Sequence, residues 1–144
     1  MAHVSLNHPK LTLEGAEAIL AAAKIQAVRM GRSMNIAVVD DGGFLLAFAR
    51  MDGAKPASID IAINKAHAAA IRRQNTGPAR SGEEVSVLLS LGLAIGSRAH
   101  QTPIRGGLML EVNGECVGGI GVSAGTEDED TEVAHAGVAA FVKG

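Results

Sequence analysis

The sequence predicts an α+β domain in which an antiparallel sheet of two hairpins is flanked by helices. Residues 106–125, GGLMLEVNGECVGGIGVSAG, contain two apolar runs joined by Asn113-Gly114. Asn-Gly between apolar runs is the strongest short-range hairpin signal, because both turn residues accept positive φ. An earlier segment repeats the pattern, with strands Met34–Asp40 and Phe44–Arg50 on either side of Asp41-Gly42-Gly43. Apolar residues at helical spacing precede, separate and follow the hairpins, so helices are expected to cover the sheet.

Four helical segments follow from capping residues and periodicity. The first begins at Thr12, a residue type that caps helices, and ends at Gly31. The others run from Ser58 to about Gln74, from Val85 to Ile95 with a break at Gly92, and from Thr126 to about Val142. The acidic residues 127–130 favour the start of the last helix, because they lie at the positive end of its dipole.

The strands differ in how they are expected to be covered. Met34–Asp40 is apolar on both faces, which predicts a central strand with cover on both sides. The run Val117–Val122 contains three glycines among its six residues. A strand without side chains lets a ligand, a helix or another chain approach its backbone, and the sequence leaves these alternatives open.

Length and composition favour one domain, residues 1–144, with a core of small aliphatic side chains. The chain is 47% hydrophobic but only 2% aromatic, and its net charge is −2. These values argue against nucleic acid as a partner. A signal-peptide pattern and an apolar run of about 18 residues are both lacking, so we expect a soluble cytoplasmic protein with no membrane partner. Cys116 is the single cysteine and is expected to be a small buried hydrophobe.

A few ionisable residues stand out as candidates for chemistry. Five histidines are present, but no pair has the spacing of a typical zinc site. His67 lies on the second predicted helix, where it is either a packed or surface residue or a ligand. His100 falls in a predicted loop, and loops often carry function. Lys65 is a buried amine, an anion-binding charge or a lysine whose stem packs while its amine reaches water. Asp130, deepest in the first turn of the last helix, is expected to point toward the hairpins.

Five segments, taken together, carry a more specific signal. They are LTLEGAEAIL from Leu11, AVVDDGGFLLAFARMDGA from Ala37, SIDIAINKAHAAA from Ser58, GGLMLEVNGECVGGIGVSAGTEDED from Gly106 and AHAG from Ala134. The ordered set covers most of the chain and resembles the GlcG/HbpS family of small haem-binding, haem-degrading-type proteins, which includes the C-terminal domain of PduO-type proteins. The resemblance implies a profilin-like fold, homo-oligomers that are often octamers, haem binding in some members, and occurrence beside catabolic operons.

The resemblance can be followed residue by residue. Positions that match the family pattern are Asp40, Gly43, Arg50, Asp52, Gly53, Ala54, Ser58, Lys65, Ala66, Gly106, Gly107, Leu108, Gly118, Gly121, Val122, Ser123, Asp130 and Gly137. The chain departs from the family at His67-Ala68, where Tyr-Thr is usual and the threonine is implicated in haem handling in some members. His67 is therefore a candidate axial ligand in this chain.

We predict that the polar matched residues line one cleft, within a protomer or between protomers. The expected catalytic residues are Asp52, Lys65 and Asp130; the expected ligand-binding residues are Arg50, His67, Gly106, Gly107 and Ser123; and His67 is the candidate metal ligand.

Three functions fit this set. In the first, the protein is an accessory protein that binds haem or a related tetrapyrrole, with basic groups on the propionates and His67 on the iron. In the second, it is an isomerase, tautomerase or lyase, in which Lys65 or Arg50 binds a small carboxylate metabolite. Asp52, Asp130 or His67 would then move the proton. In the third, it is a non-catalytic assembly module.

Overall fold

The computed structural model describes residues 2–143. Helices are α1 (Leu13–Arg29), α2 (Ile59–Arg72), α3 (Val87–Gly96) and α4 (Glu127–Lys143), and strands are β1 (Asn35–Asp40), β2 (Leu45–Arg50), β3 (Arg80–Ser81), β4 (Glu84–Val85), β5 (Gly107–Val112) and β6 (Glu115–Ser123). The α+β prediction and both long hairpins are confirmed. No helix among the described residues combines the length and apolarity needed to cross a bilayer.

The region between the two long hairpins differs from the sequence prediction. α3 continues through Gly92 to Gly96, so the expected break at Gly92 is wrong. A glycine inside a helix costs only about 1 kcal/mol, and the Ser86 hydroxyl caps the helix by accepting from the Leu89 N–H at 3.1 Å. The small hairpin β3–β4 that precedes α3 was not predicted, because strands of two residues have no periodicity to detect.

The main sheet is antiparallel throughout, in the order β2-β1-β6-β5. β1 is central, as its two apolar faces predicted. One face of the sheet packs on α1 and α4, which also contact each other. The core on that side includes Ile36 and Val38 of β1 and Ile120 and Val122 of β6.

The opposite face of the sheet carries α2 directly on a row of small residues. Ala37 pairs with Gly121, and Gly121 pairs with Gly107, so this row crosses three strands. A Cβ atom built on Gly121 would lie 2.1 Å from the carbonyl oxygen of Ala62, a backbone atom of α2. Gly119 is equally crowded, with the Ala66 carbonyl oxygen at 2.4 Å. The sequence left open whether a ligand, a helix or another chain approaches the glycine-rich strand. The structure shows that helix α2 does.

Candidate functional site

A buried ion pair joins α2 to the start of α4. The Lys65 ammonium donates to Asp130 Oδ2 at 2.9 Å and to the Val122 carbonyl at 2.8 Å. The side chains are 1% and 3% exposed. Asp130 Oδ1 accepts from the Gly125 N–H at 2.9 Å, so both carboxylate oxygens are engaged. The pair ties α2, the end of β6 and the loop before α4 together.

Local sequence places Asp130 at this point. Thr126 and Glu129 form a reciprocal capping box: the Thr126 hydroxyl accepts from the Glu129 N–H, and the Glu129 carboxylate accepts from the Thr126 N–H. The first turn of α4 is therefore fixed, and the residue after Glu129 turns inward onto Lys65. Burial raises the pKa of Asp130, while hydrogen bonding and charge from Lys65 and the Gly125 N–H oppose that rise.

Gly106 and Gly107, which were predicted to bind a ligand, leave room for this pair. Gly106 has φ +122, and a Cβ there would lie 2.9 Å from Lys65 Nζ and 2.8 Å from the Val122 carbonyl oxygen. A Cβ on Gly107 would lie 2.4 Å from the Lys65 carbonyl oxygen. The Gly107 N–H donates to the hydroxyl of Thr76, which is buried. The space beside both glycines is therefore filled by the protein's own atoms.

Arg50 and Ser123 lie in another row of the sheet. Both are paired with Asn35, which is buried and donates its Nδ2 to the Lys55 carbonyl at 2.9 Å. Asn35 Oδ1 has no hydrogen-bond partner among the described residues. Arg50 is exposed at the end of β2, and Ser123 is buried.

Only some of the polar residues that were predicted to line one cleft lie together in the structure. Lys65, Asp130 and Gly106 meet. Asp52 lies exposed in the turn after β2, and within residues 2–143 it forms no ion pair with Lys65 or Arg50. The side chains of Lys65 and Asp130 are almost fully buried. The catalytic roles suggested for these residues remain predictions.

An apolar groove of about 300 Å³ lies between α2 and the segment from α3 to residue 104. We call it the α2–α3 groove. Its lining residues are Ile61, Asn64, Leu91, Ala94, Ala99, Gln101, Thr102, Pro103 and Ile104. A smaller cleft lined in part by Arg72 shares Gln101, Thr102 and Pro103 with it. A guanidinium group therefore lies on the far side of the loop that forms one wall of the groove.

Two imidazoles lie beside the α2–α3 groove. His67 follows the lining residue Asn64 by three positions on α2, which places the two on neighbouring parts of one helix face. His67 Nδ1 hydrogen-bonds to the Gly43 carbonyl at 2.9 Å. His100 stands between two lining residues, and its ring centroid is 4.4 Å from that of His67.

Two features bring these groups together. Gly43 has φ +83, and a Cβ there would lie 2.3 Å from His67 Nδ1, so only glycine leaves room for the ring. After α3 the chain reverses through Arg98 and Ala99, which both have positive φ, and this turn carries His100 back over α2. Among the described residues, no three His, Cys, Asp or Glu side chains form a group that could hold a metal ion.

The groove and His100 were missed as site components by reasoning from the sequence. His100 was noted only as a loop residue, because the return of the chain over α2 depends on left-handed backbone at two non-glycine positions. The groove had a detectable signal: residues 85–97, VSVLLSLGLAIGS, contain no charge. Such a helix is expected to need cover.

The fold and the site together define a small α+β protein with helices on both faces of an antiparallel sheet and an apolar groove between α2 and α3. Residues 11–139 match the family model described as haem degrading protein HbpS-like. The chain therefore belongs to the HbpS-like family, and the resemblance seen in the sequence is confirmed. The chain is also 37% identical to protein GlcG of Escherichia coli strain K12 over 114 residues, which is 78% of this chain and 81% of GlcG.

Solved structures share the fold. Protein ORFY of Klebsiella pneumoniae superposes with a TM-score of 0.88 at 29% identity, covering 99% of this chain and 97% of that protein. The PduOC protein, solved as a complex with heme, gives a TM-score of 0.81 at 24% identity and covers 92% of this chain and 95% of its own. At that identity the second likeness shows the fold alone.

Proposed function

We propose that this protein binds haem or a related planar tetrapyrrole in the α2–α3 groove, with His67 as the group that meets the iron. The observation that carries the proposal is an apolar groove beside an imidazole that is already oriented by the protein. The description of the family as haem degrading protein HbpS-like supports the same ligand class.

The groove suits one face of a flat apolar ligand. Its walls are Ile61 of α2 and Leu91 and Ala94 of α3, with polar atoms of Asn64 and Gln101 between them. Ligand sites of this kind are mostly apolar with a few placed polar groups. A volume of about 300 Å³ is at the small end for such sites, so part of the ligand stays uncovered by a single chain.

His67 is prepared to act as an iron ligand. A carbonyl oxygen only accepts, so the contact with Gly43 requires that Nδ1 carries the proton. In the neutral ring the lone pair is then on Nε2. Histidines that bind metals usually donate the other ring N–H to a backbone carbonyl or carboxylate in this way. Arg72, which lines the adjoining cleft, is a further candidate for binding a propionate beside the predicted Arg50.

Haemin titration tests the proposal. We expect a shifted Soret band at micromolar haemin, which His67→Ala abolishes and Ala94→Leu weakens, because the added side chain fills the groove. His135→Ala is the matched control, since His135 is an exposed histidine on α4. No Soret shift with the parent protein, or an unchanged shift in His67→Ala, would contradict the proposal.

We further propose that the protein assembles into homo-oligomers through α3. Leu88 and Ile95 are 84% and 78% exposed, and Val87 is 70% exposed. Contiguous apolar surface of this kind is uncommon on monomers. The second copy would cover α3 and, with it, the open side of the α2–α3 groove. The octamers implied by the family resemblance are one such assembly.

A further inference from the structure

The imidazoles of His67 and His100 lie next to each other on the surface of α2. His67 offers a free Nε2 lone pair, because its Nδ1–H is held by Gly43. Among residues 2–143, no group hydrogen-bonds to Nε2 of His67 or to either ring nitrogen of His100. Both rings therefore retain a nitrogen that can bind a metal ion.

The distance between the rings distinguishes two ways of binding. With a metal–nitrogen bond of about 2.0–2.1 Å, the ion lies about 3.2 Å from each ring centroid. Two imidazoles at adjacent, right-angled positions then have centroids about 4.5 Å apart, and two at opposite positions about 6.4 Å. The centroids of His67 and His100 are 4.4 Å apart. This matches adjacent positions on one ion and is too short for ligands on opposite faces of a porphyrin.

The tilt between the rings is compatible with ligation of one ion. Aromatic pairs prefer offset-stacked or edge-to-face geometry. The two imidazole planes meet at 51°, which is neither. Ligation by adjacent nitrogens sets no such preference, because each ring turns about its own metal–nitrogen bond.

We propose that His67 and His100 form a two-nitrogen site for a divalent transition metal that favours right-angled positions, Cu²⁺ above all, with water completing the coordination. Imidazole is a suitable ligand for copper, nickel and zinc, and square or tetragonal nitrogen–oxygen sets are typical of Cu²⁺ and Ni²⁺. Cu²⁺ binds most tightly in the series of divalent metals. The site shares His67 with the proposed tetrapyrrole site and has His100 as its second ligand.

Cu²⁺ alone, added to the full chain, tests this site. His3→Ala/His8→Ala is the background, because both of those histidines lie near the N-terminus and offer competing nitrogens. In that background we expect one Cu²⁺ per chain by calorimetry, with two equatorial imidazole nitrogens in the electron paramagnetic resonance spectrum. His100→Ala and His67→Gln should each weaken binding at least tenfold, and His135→Ala should not change it. His67→Gln keeps an amide donor for the Gly43 carbonyl, and His100 is exposed, so both variants should fold.

The outcomes separate the two proposals. Unchanged copper affinity in His100→Ala, or a spectrum with one imidazole nitrogen, would overturn the metal site. Haemin titration of the parent protein tests the proposed function by itself, because the proposed iron ligand is His67 and the copper site requires His100 as well. Copper binding without any haemin binding would refute the proposed function and leave the metal site standing.

Discussion

The ion pair between Lys65 and Asp130 gives a quantitative test of what holds the helices to the sheet. Asp130→Asn keeps the side-chain volume and the oxygen that accepts from Gly125, but it leaves the Lys65 ammonium without a counter-charge. Water cannot replace the carboxylate, because Lys65 is 1% exposed. Breaking a buried pair from one side costs about 3–5 kcal/mol, out of roughly 5–15 kcal/mol for a whole domain. For a chain of this size the melting temperature should fall by roughly 10–20 °C.

A double-mutant cycle isolates the pair from other effects of the substitutions. Lys65→Met should cost a similar amount, because the buried Asp130 carboxylate then lacks its cation. The double variant Lys65→Met/Asp130→Asn should lose about 2 kcal/mol less than the sum of the single losses, since neither charge remains. Lys24→Met, on the exposed side of α1, is the control and should change stability by less than about 0.5 kcal/mol. Urea unfolding at neutral pH measures each free energy.

The loss of unfolding free energy in each single variant tests whether the buried ion pair stabilises the fold. Losses below about 1 kcal/mol, the range for exposed ion pairs, would refute the reasoning. Additive losses in the double variant would equally show that the two groups do not interact.

Three further outcomes are expected. Burial raises the pKa of Asp130, so its folded form binds protons more readily than its unfolded form, and its contribution to stability decreases as pH rises through the folded pKa. Lys65→Met removes the opposing cation, so its stability deficit relative to the parent in urea unfolding should shrink from about pH 7 to about pH 5; a deficit that is constant or grows would contradict this. Gly121→Ala should lower the free energy of unfolding by at least about 1–3 kcal/mol, because the added Cβ forces α2 off the sheet. Gly92→Ala has open space around its Cβ, so it should be neutral or stabilising by up to about 1 kcal/mol. Thermal melts compare the two variants. Leu88→Glu should lower the mass found by light scattering if α3 joins subunits, and an unchanged oligomer would exclude that surface.

Much of the fold could be predicted from local chemistry. The Asn113-Gly114 turn is a strong signal because few residue pairs accept its dihedral angles, and Asn113 indeed has φ +51. The central place of β1 followed from its two apolar faces. The short hairpin β3–β4 could not be predicted, since its four strand residues contain no repeat to read.

The candidate site was harder to predict because its parts are distant in sequence. The contact between Lys65 and Asp130 depends on α2 and α4 approaching the same end of β6, which no local pattern encodes. The glycine-rich strand was correctly expected to admit a close neighbour, but the sequence did not identify that neighbour as α2. Asp52 and Lys65 were expected to lie together because both match the family pattern. Matching the same pattern does not show that two residues are close in the fold.

The contact between α2 and the glycine row has a consequence for how the protein responds to a ligand. Main-chain atoms of the helix rest on main-chain atoms of β6, so no side chain can change rotamer there to absorb a shift. His67 is therefore anchored to the rigid part of the molecule. The opposite wall of the groove is formed by α3 and the loop that follows it, and it packs on little else. We therefore expect this wall to move when ligands of different size bind.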